Sequence, residues 1–234
     1  APEAFDETSI RNLIGGSWQV LGDYSTHHTP VDQSEIVGPS MLSLDQATNA
    51  VKQAVKMDKD WSLVDLDERK SRVQEALKLL SEHRDVIAEL LIWEIGKPWK
   101  LACADVDRCI EGVQWYLDEI DRQMEGRTPL SGPVSNIASW NYPLSVLVHA
   151  ELVQLLAGNA VVAKTPSQGG FHALTLSHAL MARAGLPVTL ISGSGAKLAP
   201  ALVSSPDLGA LAFVGGRNNG RAAASSLKSL AKRH

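Results

Sequence analysis

One stretch in the second half of the chain joins two short apolar runs through a polar turn and a helical segment. It reads Ser139-Trp140-Asn141-Tyr142-Pro143, and a second piece follows as Ala157-Gly158-Asn159-Ala160-Val161-Val162-Ala163-Lys164. The first piece predicts a strand end and a helix that begins with proline, and the second predicts a strand that ends in lysine. An aromatic ring, an amide and a cation should therefore meet at one edge of a sheet.

Around this stretch, short apolar runs alternate with helical patterns. The runs cover residues 134–138, 160–163, 188–191 and 210–214, and the helical patterns that follow them cover 143–156, 170–184, 195–203 and 219–230. Strands that are apolar throughout and alternate with helices indicate a largely parallel sheet covered on both faces. We therefore expect an α/β fold with a doubly wound, Rossmann-like sheet over residues 131–234.

The first 130 residues have a different periodicity. Four amphipathic helices are predicted: one from Ser43 toward Trp61, and others over about 67–80, 86–95 and 101–124. The third should stop at the glycine and proline of residues 96–98. Ahead of them, residues 12–20 predict a hairpin that turns on Gly15-Gly16. We expect residues 1–130 to pack on the sheet of residues 131–234 within one structural domain.

Composition and charge exclude several classes of function. A net charge of −4 over 234 residues gives no electrostatic reason to expect nucleic acid or an anionic membrane as a partner. No apolar run approaches the ~18 residues of a membrane span, and the acidic N-terminus lacks the features of a signal peptide. Cys103 and Cys109 fit neither a redox pair nor a zinc site, and the seven histidines show no metal-ligand spacing. We expect a cytoplasmic protein without a metal site, with His27-His28 in a loop.

Small, polar or cationic residues follow all four predicted strands. The strand ends are residues 139–141, 164–167, 192–195 and 215–218. Ligands bind at the carboxyl ends of the strands in doubly wound sheets, so these four turns form one candidate site. Turns between strands and helices favour such residues in general, so the coincidence of all four carries the prediction.

Each candidate also has a structural interpretation. Gly193 and Gly195 could turn backbone N–H groups toward a phosphate, but Leu198 replaces the third glycine of the usual dinucleotide fingerprint. Lys164 could bind a ribose or a phosphate, or it could extend to solvent. Asn141 could donate to a developing oxyanion, or it could cap the following helix.

These segments resemble the aldehyde dehydrogenase superfamily. The matches are Trp140-Asn141-Tyr142-Pro143, the segment from Gly158 to Lys164, Ala184-Gly185-Leu186-Pro187, Phe213-Val214-Gly215-Gly216, and Glu94 with Gly96-Lys97-Pro98. The resemblance implies an oxyanion donor at Asn141. It also implies cofactor-binding residues at Ile137, Ser139, Trp140, Lys164, Ser167, Gly195, Phe213, Gly215 and Gly216.

The resemblance implies NAD or NADP as the cofactor. Ser167 stands where members that prefer NAD usually carry a glutamate, which would repel a 2′-phosphate. With Lys164 nearby, the serine makes NADP acceptable. Val214 and Gly216 depart from the family, because they replace a threonine and a serine and so remove two hydroxyl groups.

In the family, a catalytic domain with the nucleophilic cysteine follows the segment that resembles residues 230–234. No part of this chain matches that domain, and neither cysteine maps to the nucleophile. We therefore expect a truncated chain that supplies the cofactor-binding half of an enzyme that oxidises a small aldehyde to a carboxylic acid through a cysteine thiohemiacetal. Such a half would be inactive by itself.

Two alternatives stay open at this point. The lost hydroxyl groups at positions 214 and 216 fit a non-catalytic relative with a binding or scaffolding role. A reductase of an acyl phosphate or acyl thioester in the same superfamily would share all the segments found here. The short stretch between Met124 and Pro133 leaves the oligomeric state open, with a homodimer as one option.

Overall fold

A computed structural model describes residues 1–5 and 8–231 of the chain. Its strands are β1 (Asn12–Ile14), β2 (Ser17–Gln19), β3 (Asp23–His28), β4 (Glu35–Met41), β5 (Val134–Ile137), β6 (Val161–Lys164), β7 (Val188–Ile191) and β8 (Ala210–Phe213). Its helices are α1 (Leu44–Trp61), α2 (Leu66–Glu82), α3 (Arg84–Ile95), α4 (Trp99–Met124), α5 (His149–Leu156), α6 (Phe171–Arg183), α7 (Gly195–Leu202) and α8 (Arg217–Ala231), and a π-helical turn (Pro143–Val148) precedes α5.

The central sheet has six strands in the order β2-β1-β7-β6-β5-β8. Strands β7, β6, β5 and β8 are parallel, and β1 runs antiparallel to β7. The chain passes from β5 through β6 to β7 on one side and then returns to place β8 on the other side of β5. The predicted doubly wound sheet is confirmed, and the reversal creates a switch point between β5 and β8.

Hydrophobic layers cover both faces of this sheet. Residues of α2, α4, α5 and α6 pack with Val161 and Ala163 on one face, whereas residues of α1 and α7 pack with Val162 and Ile191 on the other. Successive side chains of a strand point to opposite faces, so β6 contributes to both layers. Helices from the first 130 residues thus pack on both faces, and the division at residue 130 stays a prediction.

The four predicted N-terminal helices are confirmed. Ser43 forms a capping box with Gln46 at the start of α1, and Gly96 ends α3 in the left-handed conformation. Among the described residues, no helix combines the length and the apolar character that a membrane span requires.

The hairpin of β3 and β4 was not predicted from the sequence. The prediction that His27-His28 lies in a loop is wrong, because both residues lie on β3 and pair with Ile36 and Glu35. Strand β3 is mostly exposed and polar, and β4 contains glycine and proline, so neither carries the apolar signal of a buried strand.

Candidate functional site

A cleft of about 370 Å³ lies at the carboxyl ends of β5, β6 and β8, beside the switch point of the sheet. Its lining includes Ile137, Ser139, Trp140, Lys164, Ser167, Gly195, Phe213, Gly215 and Gly216. These are the nine residues that the sequence analysis predicted to bind a cofactor. The fold therefore brings the nine residues together, whereas Asn141 is not part of this lining.

Strand register places three of the nine residues side by side. Ile137 at the end of β5 pairs with Lys164 of β6 on one side and with Phe213 of β8 on the other. Because neighbouring strands are about 4.8 Å apart, the three backbones form a continuous edge at the base of the cleft.

Lys164 is buried, with a relative exposure of 6%. Its Nζ donates a hydrogen bond to the carbonyl of Thr165, and burial lowers the pKa of its ammonium group to about 8. The alternative that Lys164 extends to solvent is therefore wrong. Among the described residues, no carboxylate bonds to this buried cation, so an anion that enters the cleft would stabilise it.

Glycine residues keep the backbone accessible on two sides of the cleft. A Cβ atom at Gly195 would lie 3.6 Å from Cε of Lys164, and a Cβ atom at Gly216 would meet no atom within 4 Å. Helix α7 begins at Gly195, and its cap residue Ser194 makes no side-chain capping hydrogen bond. Backbone N–H groups at the start of α7 thus remain suited to an anionic ligand.

Asn141 lies in an exposed turn that follows Trp140. Its Oδ1 accepts a hydrogen bond of 2.7 Å from the hydroxyl group of Ser139, which leaves Nδ2 as the donor of this side chain. The cap residue of the following π-helical turn is Tyr142, whose side chain makes no capping hydrogen bond. The alternative that Asn141 caps the helix is therefore wrong.

Two buried groups to which the sequence gave no role support the loops at the cleft. Lys97 donates a hydrogen bond of 2.8 Å to the carbonyl oxygen of Asn141 and forms a buried ion pair with Asp105. The carboxylate of Glu94 accepts hydrogen bonds from the backbone N–H groups of His172 and Ala173 in the first turn of α6. The motif of Glu94 and Lys97 was visible in the sequence as a helix end and as one of the segments that resemble the family, but it gave neither side chain a role.

Within the described residues, no cysteine lines this cleft. Cys103 and Cys109 are both buried in the core on α4, as expected for packed thiols. Burial raises the pKa of the Cys109 thiol, and the charges of Asp105 and Glu151 raise it further. In the described part of the chain, no group of three or more histidine, cysteine or acidic side chains is arranged to hold a metal ion.

This cleft lies at the switch point of a doubly wound sheet and has glycine-rich turns and a buried lysine, which is the place where α/β proteins of this class bind their ligands. The family model described as the aldehyde dehydrogenase family matches residues 22–234. The chain therefore belongs to the aldehyde dehydrogenase family.

Individual relatives agree with this assignment. The chain is 26% identical over 225 residues to 1-pyrroline-5-carboxylate dehydrogenase 1 of Halalkalibacterium halodurans. This match covers 89% of this chain and 44% of that protein. It is also 30% identical over 197 residues to NADP-dependent glyceraldehyde-3-phosphate dehydrogenase of Pisum sativum, and this second match covers 74% of this chain and 40% of that protein. The chain thus spans less than half the length of these two relatives.

A solved structure gives the same result for the fold. The NADP-dependent glyceraldehyde-3-phosphate dehydrogenase from Bacillus halodurans C-125, crystallised in complex with NADP, superposes with a TM-score of 0.85 at 25% identity. The superposition covers 94% of this chain and 51% of the other. The Rossmann-like architecture predicted from the sequence is therefore confirmed.

Proposed function

We propose that the whole protein oxidises an aldehyde to a carboxylic acid with NAD or NADP, and that this chain supplies the cofactor-binding half. The observation that carries the proposal is the cleft itself, because nine residues inferred from the family resemblance line it together. When bound, NAD or NADP would supply the acceptor for the hydride that leaves the aldehyde carbon.

The residues of the cleft offer different kinds of contact to the cofactor. Ile137 and Phe213 offer apolar surface, and Trp140 offers an aromatic ring that is 38% exposed. Lys164 offers a cation to ribose or phosphate oxygens, and Gly195 offers backbone N–H groups at a helix start. These apolar, aromatic, cationic and N–H groups fit a dinucleotide, which carries both flat rings and anionic phosphates.

Asn141 is proposed as the oxyanion donor. Addition of a nucleophile to an aldehyde puts negative charge on the carbonyl oxygen, and an amide N–H aimed at that oxygen stabilises it. We place the nucleophile, a cysteine that forms a thiohemiacetal, outside these 234 residues. Cys109 cannot fill this role, because its raised pKa keeps the thiol protonated within the core.

We propose that the cleft accepts NADP as well as NAD. Ser167 is exposed at the cleft and carries no negative charge that would repel a 2′-phosphate, and Lys164 lines the same cleft. Relatives named as NADP-dependent support this proposal. A cytoplasmic location and a homodimer stay predictions from the sequence.

A binding protein without catalysis is the second candidate. Val214, which is 49% exposed, and Gly216 line the cleft without the hydroxyl groups of related enzymes. Titration of the whole protein with NADP⁺ and NAD⁺, followed by an assay for NADPH or NADH formation with a panel of aldehydes, separates the candidates. Binding with turnover supports the dehydrogenase, whereas no turnover with any aldehyde supports the second candidate.

A further inference from the structure

Lys97 lies beneath the turn that carries Asn141. Its Nζ is 3.0 Å from Oδ2 of Asp105, donates to the carbonyl oxygen of Asn141 at 2.8 Å and lies 3.9 Å from the ring centroid of Tyr142. The side chains of Lys97 and Asp105 are 7% and 0% exposed, so water does not compete for these contacts. The ammonium group thus bonds on one side to a buried carboxylate and on the other to the exposed turn.

The other carboxylate oxygen of Asp105 bonds to the segment of the chain that follows Asn141. Its Oδ1 accepts hydrogen bonds from the backbone N–H of Ser145 at 2.9 Å and from the Ser145 hydroxyl group. Ser145 lies in the π-helical turn that begins at Pro143. The ion pair therefore holds the backbone on both sides of the Tyr142-Pro143 step.

A buried ion pair is a poor device for stability alone. The cost of removing two charges from water is of the same order as their attraction, and apolar replacements of a buried pair are often neutral or stabilising. The pair instead fixes the orientation of the backbone at Asn141. A charged donor on the carbonyl of Asn141 fixes the peptide plane after this residue, in a turn where the Asn141 side chain is exposed.

We propose that Lys97, held by Asp105, is a positioning residue for Asn141. It fixes the backbone from which the side-chain amide projects, so that Nδ2 is aimed before the substrate arrives. The proposal rests on the proposed function, because the positioned group is the proposed oxyanion donor. Electrostatic stabilisation of this kind depends on donors that are oriented in advance.

The test uses Lys97→Met/Asp105→Asn in the whole protein. The double substitution removes both buried charges, so no unpaired charge is left to unfold the core, and asparagine keeps an acceptor for Ser145. We expect kcat for aldehyde oxidation to fall ~100-fold, the loss that a small misplacement of a catalytic group can cause. The affinity for NADP⁺ should change far less than kcat. The matched control is Lys100→Met, an exposed lysine three residues away, which should keep the wild-type kcat.

A double-mutant cycle shows whether the effect passes through Asn141. In an Asn141→Ala background, the substitutions at positions 97 and 105 should cause little further loss of kcat. An undiminished kcat in the first variant, or an equal loss in both backgrounds, would overturn the proposal. If the double substitution lowers the folded fraction, the second variant is Lys97→Leu/Asp105→Asn, which also leaves no unpaired buried charge.

A separate readout distinguishes failure of this proposal from failure of the proposed function. In the chain labelled with ¹⁵N-asparagine, the side-chain amide signal of Asn141 is assigned by its loss in Asn141→Ala. This signal should shift or broaden in the 97/105 variant and stay in place in Lys100→Met. A whole protein that oxidises no aldehyde contradicts the proposed function, whereas an unchanged Asn141 signal contradicts the positioning itself.

Discussion

The side chain of Asn12 accepts a hydrogen bond of 2.7 Å from the backbone N–H of Ser192, a residue 180 positions later in the chain. Its Nδ2 donates to the carbonyl oxygen and the hydroxyl group of Ser40, at 2.9 and 2.8 Å. The hydroxyl group of Ser192 accepts a further bond from Thr165, beside the end of β6. One buried amide thus links the N-terminal hairpin, the end of β4 and the turn that leads into Gly193 and α7.

We predict that Asn12→Ala lowers the free energy of unfolding by about 2–4 kcal/mol, because it leaves buried partners of Asn12 without hydrogen bonds. Urea unfolding followed by circular dichroism measures the change. The matched control is Asn49→Ala, at an exposed position of α1, which should change the stability little. Equal stabilities of the two variants would contradict the linking role of Asn12.

The buried lysine of the cleft predicts a pH dependence of cofactor binding. The pKa of Lys164 is about 8, and only its charged form attracts ribose and phosphate oxygens. The affinity for NADP⁺ should therefore fall as the pH rises through about 8, with proton uptake on binding near that pH. Calorimetric titrations in buffers of different ionisation enthalpy measure both effects. Lys164→Met should bind weakly and without this pH dependence, and a pH-dependent affinity in that variant would contradict the role.

The same lysine should cost stability in the free protein. Its folded pKa of about 8 lies below the ordinary value of 10.5, so between these values the unfolded chain binds more protons and stability rises with pH. Near neutral pH the penalty is at most about 3 kcal/mol, from 1.36 kcal/mol per pKa unit. Lys164→Met should therefore unfold at a higher temperature than the wild type, whereas the exposed Lys52→Met should not. A lower unfolding temperature for Lys164→Met would contradict the penalty.

Two glycines of one turn should respond differently to alanine. A Cβ atom at Gly193 would lie 2.6 Å from Cδ1 of Leu198, whereas a Cβ atom at Gly195 would make an ordinary contact of 3.6 Å with Lys164. Gly193→Ala should lower the stability by about 1–3 kcal/mol through overpacking. Gly195→Ala should keep the stability and weaken NADP⁺ binding, because its methyl group lines the cleft. Thermal unfolding and titration of both variants check this, and equal effects on stability would contradict it.

The buried pair of His178 and Glu151 predicts a pH dependence of stability. Burial opposes the charged form of His178 and by itself would lower its pKa. Two favourable contacts outweigh burial and raise the pKa: the Glu151 carboxylate, whose Oε1 lies 3.1 Å from Nε2 of His178, and the hydrogen bond to the backbone of Leu174. The folded protein then binds more protons above the ordinary pKa of 6.5, so this stabilisation is complete below that pH and is lost as the pH rises through the folded pKa.

Urea unfolding over that pH window measures the effect of the pair. The replacement His178→Leu/Glu151→Leu should remove the part of the decline in stability that begins above pH 6.5, because this pair no longer titrates. The exposed His28→Gln variant should keep the decline. An unchanged slope in the double variant would rule out a titrating pair.

The parallel half of the fold followed from the sequence because its signal is local. Residues 188–191 were predicted as a strand and form β7, since a continuous apolar run between glycine-rich turns fits a strand buried on both faces. The meeting of the strand ends at one edge of the sheet could also be predicted, because parallel strands place their carboxyl ends on the same edge. The nine cleft residues therefore met as expected, and their role in binding stays a prediction.

What the sequence could not predict depends on distant contacts. Lys97 and Asp105 are separated from Asn141 and Ser145 by about forty residues, and no periodicity indicates which carbonyl a buried ammonium group will meet. The hairpin of β3 and β4 was missed because its polar, exposed residues give no burial signal. The helix-cap alternative for Asn141 was decided only by the geometry, which gives that place to Tyr142.

We propose above all that the cleft between β5, β6 and β8 binds NAD or NADP. Calorimetric titration of the whole protein with NADP⁺ and NAD⁺, with Lys164→Met and Lys52→Met alongside, tests it most directly. We expect saturable binding of one cofactor per chain in the wild type and in Lys52→Met, and a much lower affinity in Lys164→Met. Absence of binding in the wild type, or equal affinity in all three proteins, would contradict it.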